Sequence, residues 1–189
     1  MNSHQHRCIT VFGSARPVNG DAEYEQARSV GTTLGAAQYD VCNGGYGGTM
    51  EASARGAKEA GGKTIGVVAE FFGTRTNRWI DNVIVVPSLV ERLMKLVELG
   101  DGYIVLKGGT GTLLELAAVW ELMNKNVMKE KPIIVLGNFW NDVVGTLNSE
   151  LLFEGKSSPK GFSTCTKFVS LAADPEEAVR LLNEKLRNP

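Results

Sequence analysis

Tyr103-Ile104-Val105-Leu106-Lys107-Gly108-Gly109-Thr110-Gly111-Thr112-Leu113-Leu114-Glu115 carries the chain from one kind of structure to another within thirteen residues. The apolar opening reads as a buried strand and the glycine-rich middle as a tight turn. The closing residues begin an apolar helical run that continues to about Asn124. Glycine lets a backbone approach an anion closely, and the first N–H groups of a helix have no partner inside it. A strand, a glycine turn and a helix in that order therefore form a cradle for phosphate. Glu115 falls one turn into the helix, beside whatever the phosphate carries.

The same alternation extends in both directions. Short β-branched runs at 8–12, 39–43, 64–68, 83–86, 102–106, 132–136 and 168–171 read as strands. Between and after them, helical patterns cover 21–38, 49–60, 88–99, 112–124, 139–152 and 175–187. Strands that are apolar throughout and separated by helices imply a parallel sheet covered on both faces. The expected fold is α/β, a doubly wound, Rossmann-like parallel sheet forming a single domain over 8–189 after a flexible tail at 1–7. Residues 155–161, with their serines and Pro159, read as a surface loop. In such folds ligands bind beyond the carboxyl ends of the strands.

Composition narrows the function. The chain has 189 residues, 43% of them hydrophobic and 22% charged, with a formal net charge of −1. No strong field invites nucleic acid or anionic lipid, and the lysines and arginines are dispersed rather than striped. No apolar run reaches membrane-spanning length, and the polar start lacks the apolar stretch of a signal peptide. Cys8, Cys42 and Cys165 form no Cys-x-x-Cys pair, so a reducing cytoplasm is the expected compartment. His4 and His6 sit on the polar terminus, and no metal site is expected.

A second glycine cluster, Asn43-Gly44-Gly45-Tyr46-Gly47-Gly48-Thr49-Met50-Glu51, also leads from a strand into a helix. Two such junctions in one small sheet argue for a phosphorylated small-molecule ligand. After the first strand the chain reads Gly13-Ser14-Ala15-Arg16, which is not the dinucleotide fingerprint, and the P-loop lysine spacing is missing too. A nicotinamide dehydrogenase and a P-loop NTPase are therefore both poor readings, and nothing in the chain argues for a pyridoxal site.

Gly108-Gly109-Thr110-Gly111-Thr112-Leu113-Leu114-Glu115 resembles the GGxGTxxE signature of the LOG family, often mislabelled "lysine decarboxylase". The resemblance takes in Val11 to Ser14, the second glycine loop through Met50, Gly61 to Val67, and the helix carrying Arg92. It implies hydrolysis of the N-glycosidic bond of a nucleoside 5′-monophosphate, AMP or a cytokinin nucleotide, without a cofactor. It also implies a homodimer, with Arg92, nine residues before Asp101, as the active-site arginine. Relatives that bind nucleotides or carry molybdenum cofactor without hydrolysis make a non-catalytic binder the alternative. Lys107 stands where catalytic members usually carry proline, and Leu93 where they carry lysine.

Cleaving a nucleotide's glycosidic bond builds positive charge on the ribose, and a nearby carboxylate stabilises that charge and activates water. Glu115 is the candidate, with Arg92 positioning it or holding the nucleotide. Gly108, Gly109, Thr110, Gly111 and Thr112 are expected to anchor the phosphate, and Gly45, Gly47, Gly48 and Thr49 to close the other side of the pocket. Plainer readings stand beside these. Thr112 to Glu115 also spells a capping box, as does Ser88 to Glu91, and Glu51 with Arg55 could simply pair along a helix. Lys107 could add charge near the phosphate or sit at a strand end. Arg75 and Arg78 read as a solvated loop. The helix from Thr112 is apolar nearly all the way round, so it must bury a second face against a partner copy or under neighbouring helices.

Overall fold

All five residues of β1 (Cys8–Phe12) are buried, as a strand covered on both faces requires. It occupies the middle of a seven-stranded parallel sheet ordered β4-β3-β2-β1-β5-β6-β9 in the computed structural model, which describes residues 6–153 and 162–187. The other strands of that sheet are β2 (Asp40–Asn43), β3 (Thr64–Ala69), β4 (Asn82–Val86), β5 (Gly102–Val105), β6 (Ile133–Leu136) and β9 (Val169–Ala172). Among the described residues six α-helices cover it: α1 (Ala22–Ala36), α2 (Thr49–Glu59), α3 (Leu89–Leu99), α4 (Thr110–Asn124), α5 (Asn141–Leu147) and α6 (Pro175–Arg187).

The period-two alternation of the strands sorts the core into two layers. Ile9, Val11, Val41, Ile104 and Ile134 face α1, α2 and α6. Phe12, Cys42, Tyr103, Val105 and Ile133 face α3, α4 and α5. The sheet is thus doubly wound, as the sequence implies. Helices α1 and α2 approach with almost no space between their backbones. A β-carbon on Gly31 would lie 2.0 Å from the Ser53 carbonyl oxygen, and one on Gly56 1.9 Å from that of Arg28.

Three local expectations change. Helix α5 ends at Leu147 rather than near 152, because Asn148-Ser149-Glu150 make a turn in which the Ser149 hydroxyl bonds the Thr146 carbonyl at 2.8 Å. The chain then forms a small antiparallel ladder of β7 (Leu151–Phe153) and β8 (Phe162–Thr164). Most of the expected N-terminal tail, including His4, and the 155–161 loop lie outside the described residues. His6 and Arg7 are fastened to the body: His6 Nδ1 is 3.5 Å from Asp40, and Arg7 donates to the Leu186 carbonyl at 2.7 Å. Glu51 does not pair with Arg55. Arg55 reaches Glu59 at 2.9 Å instead, while the Tyr24 hydroxyl meets Glu51 at 3.4 Å.

Helix α4 buries Leu116, Val119, Trp120 and Met123, but leaves Leu113 and Leu114 exposed. Leu89, Val90 and Met94 of α3 are exposed as well, so among the described residues both helices keep apolar side chains at the surface. Among the described residues no helix is long and apolar enough to cross a membrane.

Candidate active site

Strand order reverses beside β1. The chain steps outward from β1 through β2 and β3 to β4, returns to β5 on the other flank of β1, and steps out again through β6 to β9. Loops leaving β1 and β5 therefore part in opposite directions and open a crevice at the carboxyl ends. Their bases are tied together: Leu106 N–H donates to the Phe12 carbonyl at 2.9 Å, and Ser14 N–H to the Lys107 carbonyl at 3.3 Å. Above these ties lies a cleft of about 490 Å³ lined by residues 13–16, Tyr46, Met50, Phe72, Arg92, residues 109–112 and Glu115.

Helix α4 begins at Thr110, two residues earlier than the apolar pattern suggests, with Gly109 as its N-cap and no side-chain cap. Its first backbone bond runs from Leu113 N–H to the Gly109 carbonyl at 3.0 Å. The amides of Thr110, Gly111 and Thr112 precede that bond and sit at the positive end of the helix dipole, on the cleft wall. This early start removes the capping alternative for Glu115, since Thr112 is the third residue of the helix and not its cap. The matching pattern on α3 does cap: the Ser88 hydroxyl accepts from Glu91 N–H at 3.2 Å and donates to the Glu91 carboxylate at 2.9 Å.

Arg92 follows that cap and turns inward, only 8% exposed. Its Nε donates to the Val67 carbonyl at 2.9 Å, one terminal nitrogen stands 3.6 Å from Glu115 Oε1, and the other 3.8 Å from Met50 Sδ. The guanidinium also lies 5.5 Å from the Tyr46 ring centre. Gly44 makes this possible, because a β-carbon there would sit 1.6 Å from the guanidinium. Burial pushes the Glu115 carboxyl up from 4.5 to about 7, and the Arg92 charge opposes part of that rise. A carboxyl poised near neutrality suits proton transfer at physiological pH.

The second glycine loop has a different position from the one expected. Thr49 spends both its N–H, at 2.8 Å, and its hydroxyl, at 3.0 Å, on the Ser14 carbonyl. Gly48, at φ +70°, backs against Ser14 and Ala15 with no room for a side chain. Gly45 N–H donates to Asn43 Oδ1 at 2.8 Å, and Gly47 is half-buried beside open space. The loop braces the β1–α1 turn, and it contributes Tyr46 and Met50 to the cleft instead of its glycines. Gly108 lies under the Thr112 hydroxyl rather than on the wall, while Gly109 to Thr112 line it. Lys107 is drawn away into an ion pair with Glu23, and Leu93 packs into the core below α3. Arg78 stacks 4.7 Å over Trp79, away from the cleft lining. Sequence reasoning missed Tyr46, Met50 and Phe72. A lone tyrosine inside a run of glycines is the one local signal that pointed there.

A model of the SLOG cluster4 family matches residues 6–167. The chain belongs to that family. Curated relatives of this SLOG-family chain carry enzyme names. The cytokinin riboside 5′-monophosphate phosphoribohydrolase of Mycobacterium tuberculosis is 32% identical over 115 residues, 59% of this chain and 61% of that protein. A protein of the same name from Rhodococcoides fascians is 28% identical over 138 residues, covering 70% and 68% of the two chains. The pyrimidine/purine nucleotide 5′-monophosphate nucleosidase of Escherichia coli is 29% identical over 126 residues, which span 61% of this chain but 28% of that much longer protein. Among solved structures, the molybdenum cofactor binding protein of Rippkaea orientalis shares the fold with a TM-score of 0.76 at 22% identity, over 97% of this chain and 99% of that one. The molybdenum cofactor carrier protein of Chlamydomonas reinhardtii does so at 0.74 and 22% identity, over 97% and 100%.

Proposed function

We propose that this protein hydrolyses the N-glycosidic bond of a nucleoside 5′-monophosphate, releasing the free base and ribose 5-phosphate. The observation that carries this reading is the buried Arg92–Glu115 pair, 3.6 Å apart, opening onto the cleft where the first amides of α4 have no partner among the described residues. The 5′-phosphate binds those amides, which brings the anomeric carbon toward Glu115 one turn along the helix. As the bond from C1′ to the base nitrogen breaks, its electron pair leaves with the base and positive charge builds on the ribose. The Glu115 carboxylate stabilises that charge and takes a proton from water as the water oxygen bonds to C1′. That proton is then returned to the departing base through solvent. Arg92 holds the carboxylate in place; its own planar fork is fixed by Val67 and by Tyr46.

Leu113 and Leu114, together with Leu89, Val90 and Met94, are the surface on which a second copy packs to form a homodimer. The unpaired thiols of Cys8, Cys42 and Cys165 suit a reducing, cytoplasmic setting. The alternative of a non-catalytic nucleotide or molybdenum cofactor carrier draws on the position of Leu93, which leaves no second basic residue on α3 facing the cleft. Incubating the purified protein with a panel of nucleoside monophosphates and separating the products by chromatography decides between them. The enzyme releases base from at least one substrate; tight binding with no base released from any would leave the carrier reading.

A further inference from the structure

Arg16 is a cation on the cleft wall that no other part of the site uses, and we infer that it reads the 5′-phosphate of the ligand. This rests on the nucleotide reading of the cleft and adds the side chain that selects a nucleotide over its nucleoside. The amides of α4 supply dipole and hydrogen bonds, equivalent to roughly half a positive charge, against a phosphate monoester bearing nearly two negative charges. A full cation beside them would balance more of that charge than the amides do alone. Arg92 does not provide one, because its guanidinium is committed to Glu115, the Val67 carbonyl and the Tyr46 ring. Lys107 does not either, being paired with Glu23. Arg16 is exposed, lines the same cleft as residues 109–112, and makes no ion pair among the described residues.

Its backbone is held unusually firmly for an exposed loop. The Ser14 carbonyl takes two bonds from Thr49, Ser14 N–H is anchored on the Lys107 carbonyl, and Arg16 N–H donates to the Ser14 hydroxyl at 3.1 Å. Pro17, buried behind it, fixes the next φ angle. Both glycine junctions thus meet on the turn that carries Arg16: the second braces it through Thr49 and Gly48, and the first faces it across the cleft. This explains why the second glycine loop is built so tightly although its own amides do not line the cleft. A guanidinium presented from a fixed turn offers two parallel donors to a phosphate at little ordering cost.

The test compares wild type, Arg16→Ala and Arg16→Lys. It measures ribose 5-phosphate binding by calorimetry and base release from AMP by steady-state kinetics. Arg16→Ala is expected to weaken ribose 5-phosphate binding and raise KM at least about tenfold, with kcat within about threefold. Arg16→Lys restores part of the loss, having the charge without the fork. An unchanged thermal midpoint shows that both variants fold. Wild-type binding and KM in Arg16→Ala overturn the inference while leaving hydrolysis standing, as does a loss confined to kcat. Ribose 5-phosphate binding that depends on Arg16 in a protein hydrolysing no nucleotide upholds the inference and removes the enzyme reading. A wild type that does not bind ribose 5-phosphate overturns it outright.

Discussion

Replacing Glu115 by glutamine isolates what it costs to keep a carboxylate in the cleft. The side chain is 14% exposed, and its carboxyl moves from 4.5 to about 7 on folding because burial disfavours the charged form more than Arg92 favours it. A carboxyl with a raised folded value favours the native state while it is protonated. That contribution is complete below pH 4.5 and is lost as pH rises through about 7. Each pH unit inside the window is worth about 1.4 kcal/mol, so the full loss approaches about 3 kcal/mol. Glutamine has the same shape and does not titrate. Every other ionisable group is common to both proteins, so the stability difference between them isolates this one group. Urea unfolding from pH 5 to 8.5, at one protein concentration, is expected to show Glu115→Gln gaining about 2 to 3 kcal/mol on wild type as pH rises. A difference that stays flat across that range would mean an ordinary, hydrated carboxylate, and the argument for a poised base would collapse.

Three further outcomes follow from the same geometry. Gly44→Ala puts a β-carbon 1.6 Å from the Arg92 guanidinium and 2.6 Å from Met50 Sδ, so the arginine must leave its place beside Glu115. Turnover is expected to fall about 100-fold with the fold intact by circular dichroism, and wild-type turnover would refute the pairing. Because the base must be ionised, kcat/KM should climb with pH and level off above about 7; a profile flat from pH 5.5 to 8 would exclude Glu115 as that base. Leu114→Glu places a charge on the exposed apolar face of α4; the proposed homodimer requires wild type to sediment as a dimer and this variant as a monomer. A monomeric wild type would remove the interface.

Much of the architecture was legible because it depends on local pattern. Continuous apolar runs such as Ile133–Leu136 are strands buried on both faces, and the reading of a doubly wound sheet follows from them. Arg92 and Glu115 were readable as residues through the family signature, but their contact was not: Arg92 depends on the cavity beside Gly44, on a different element. The same holds for the second glycine loop. Its threonine looks like a phosphate donor in sequence, yet Thr49 bonds Ser14, 35 residues away. Lys107 is turned aside by Glu23, which lies 84 residues earlier. The β7–β8 ladder is hidden in the sequence for another reason. The apolar residues at 143–152 fit a helix until the Asn148-Ser149 turn, where side chains compete for the backbone. Local chemistry announces itself in a sequence, and partners chosen across the fold do not.

Binding and cleavage of AMP measured together, in wild type and in Glu115→Gln, probe the central claim with the fewest assumptions. Wild type should release adenine and ribose 5-phosphate, while the variant binds AMP about as tightly and releases adenine at least about 100-fold more slowly. Equal rates of adenine release from the two proteins would contradict the account.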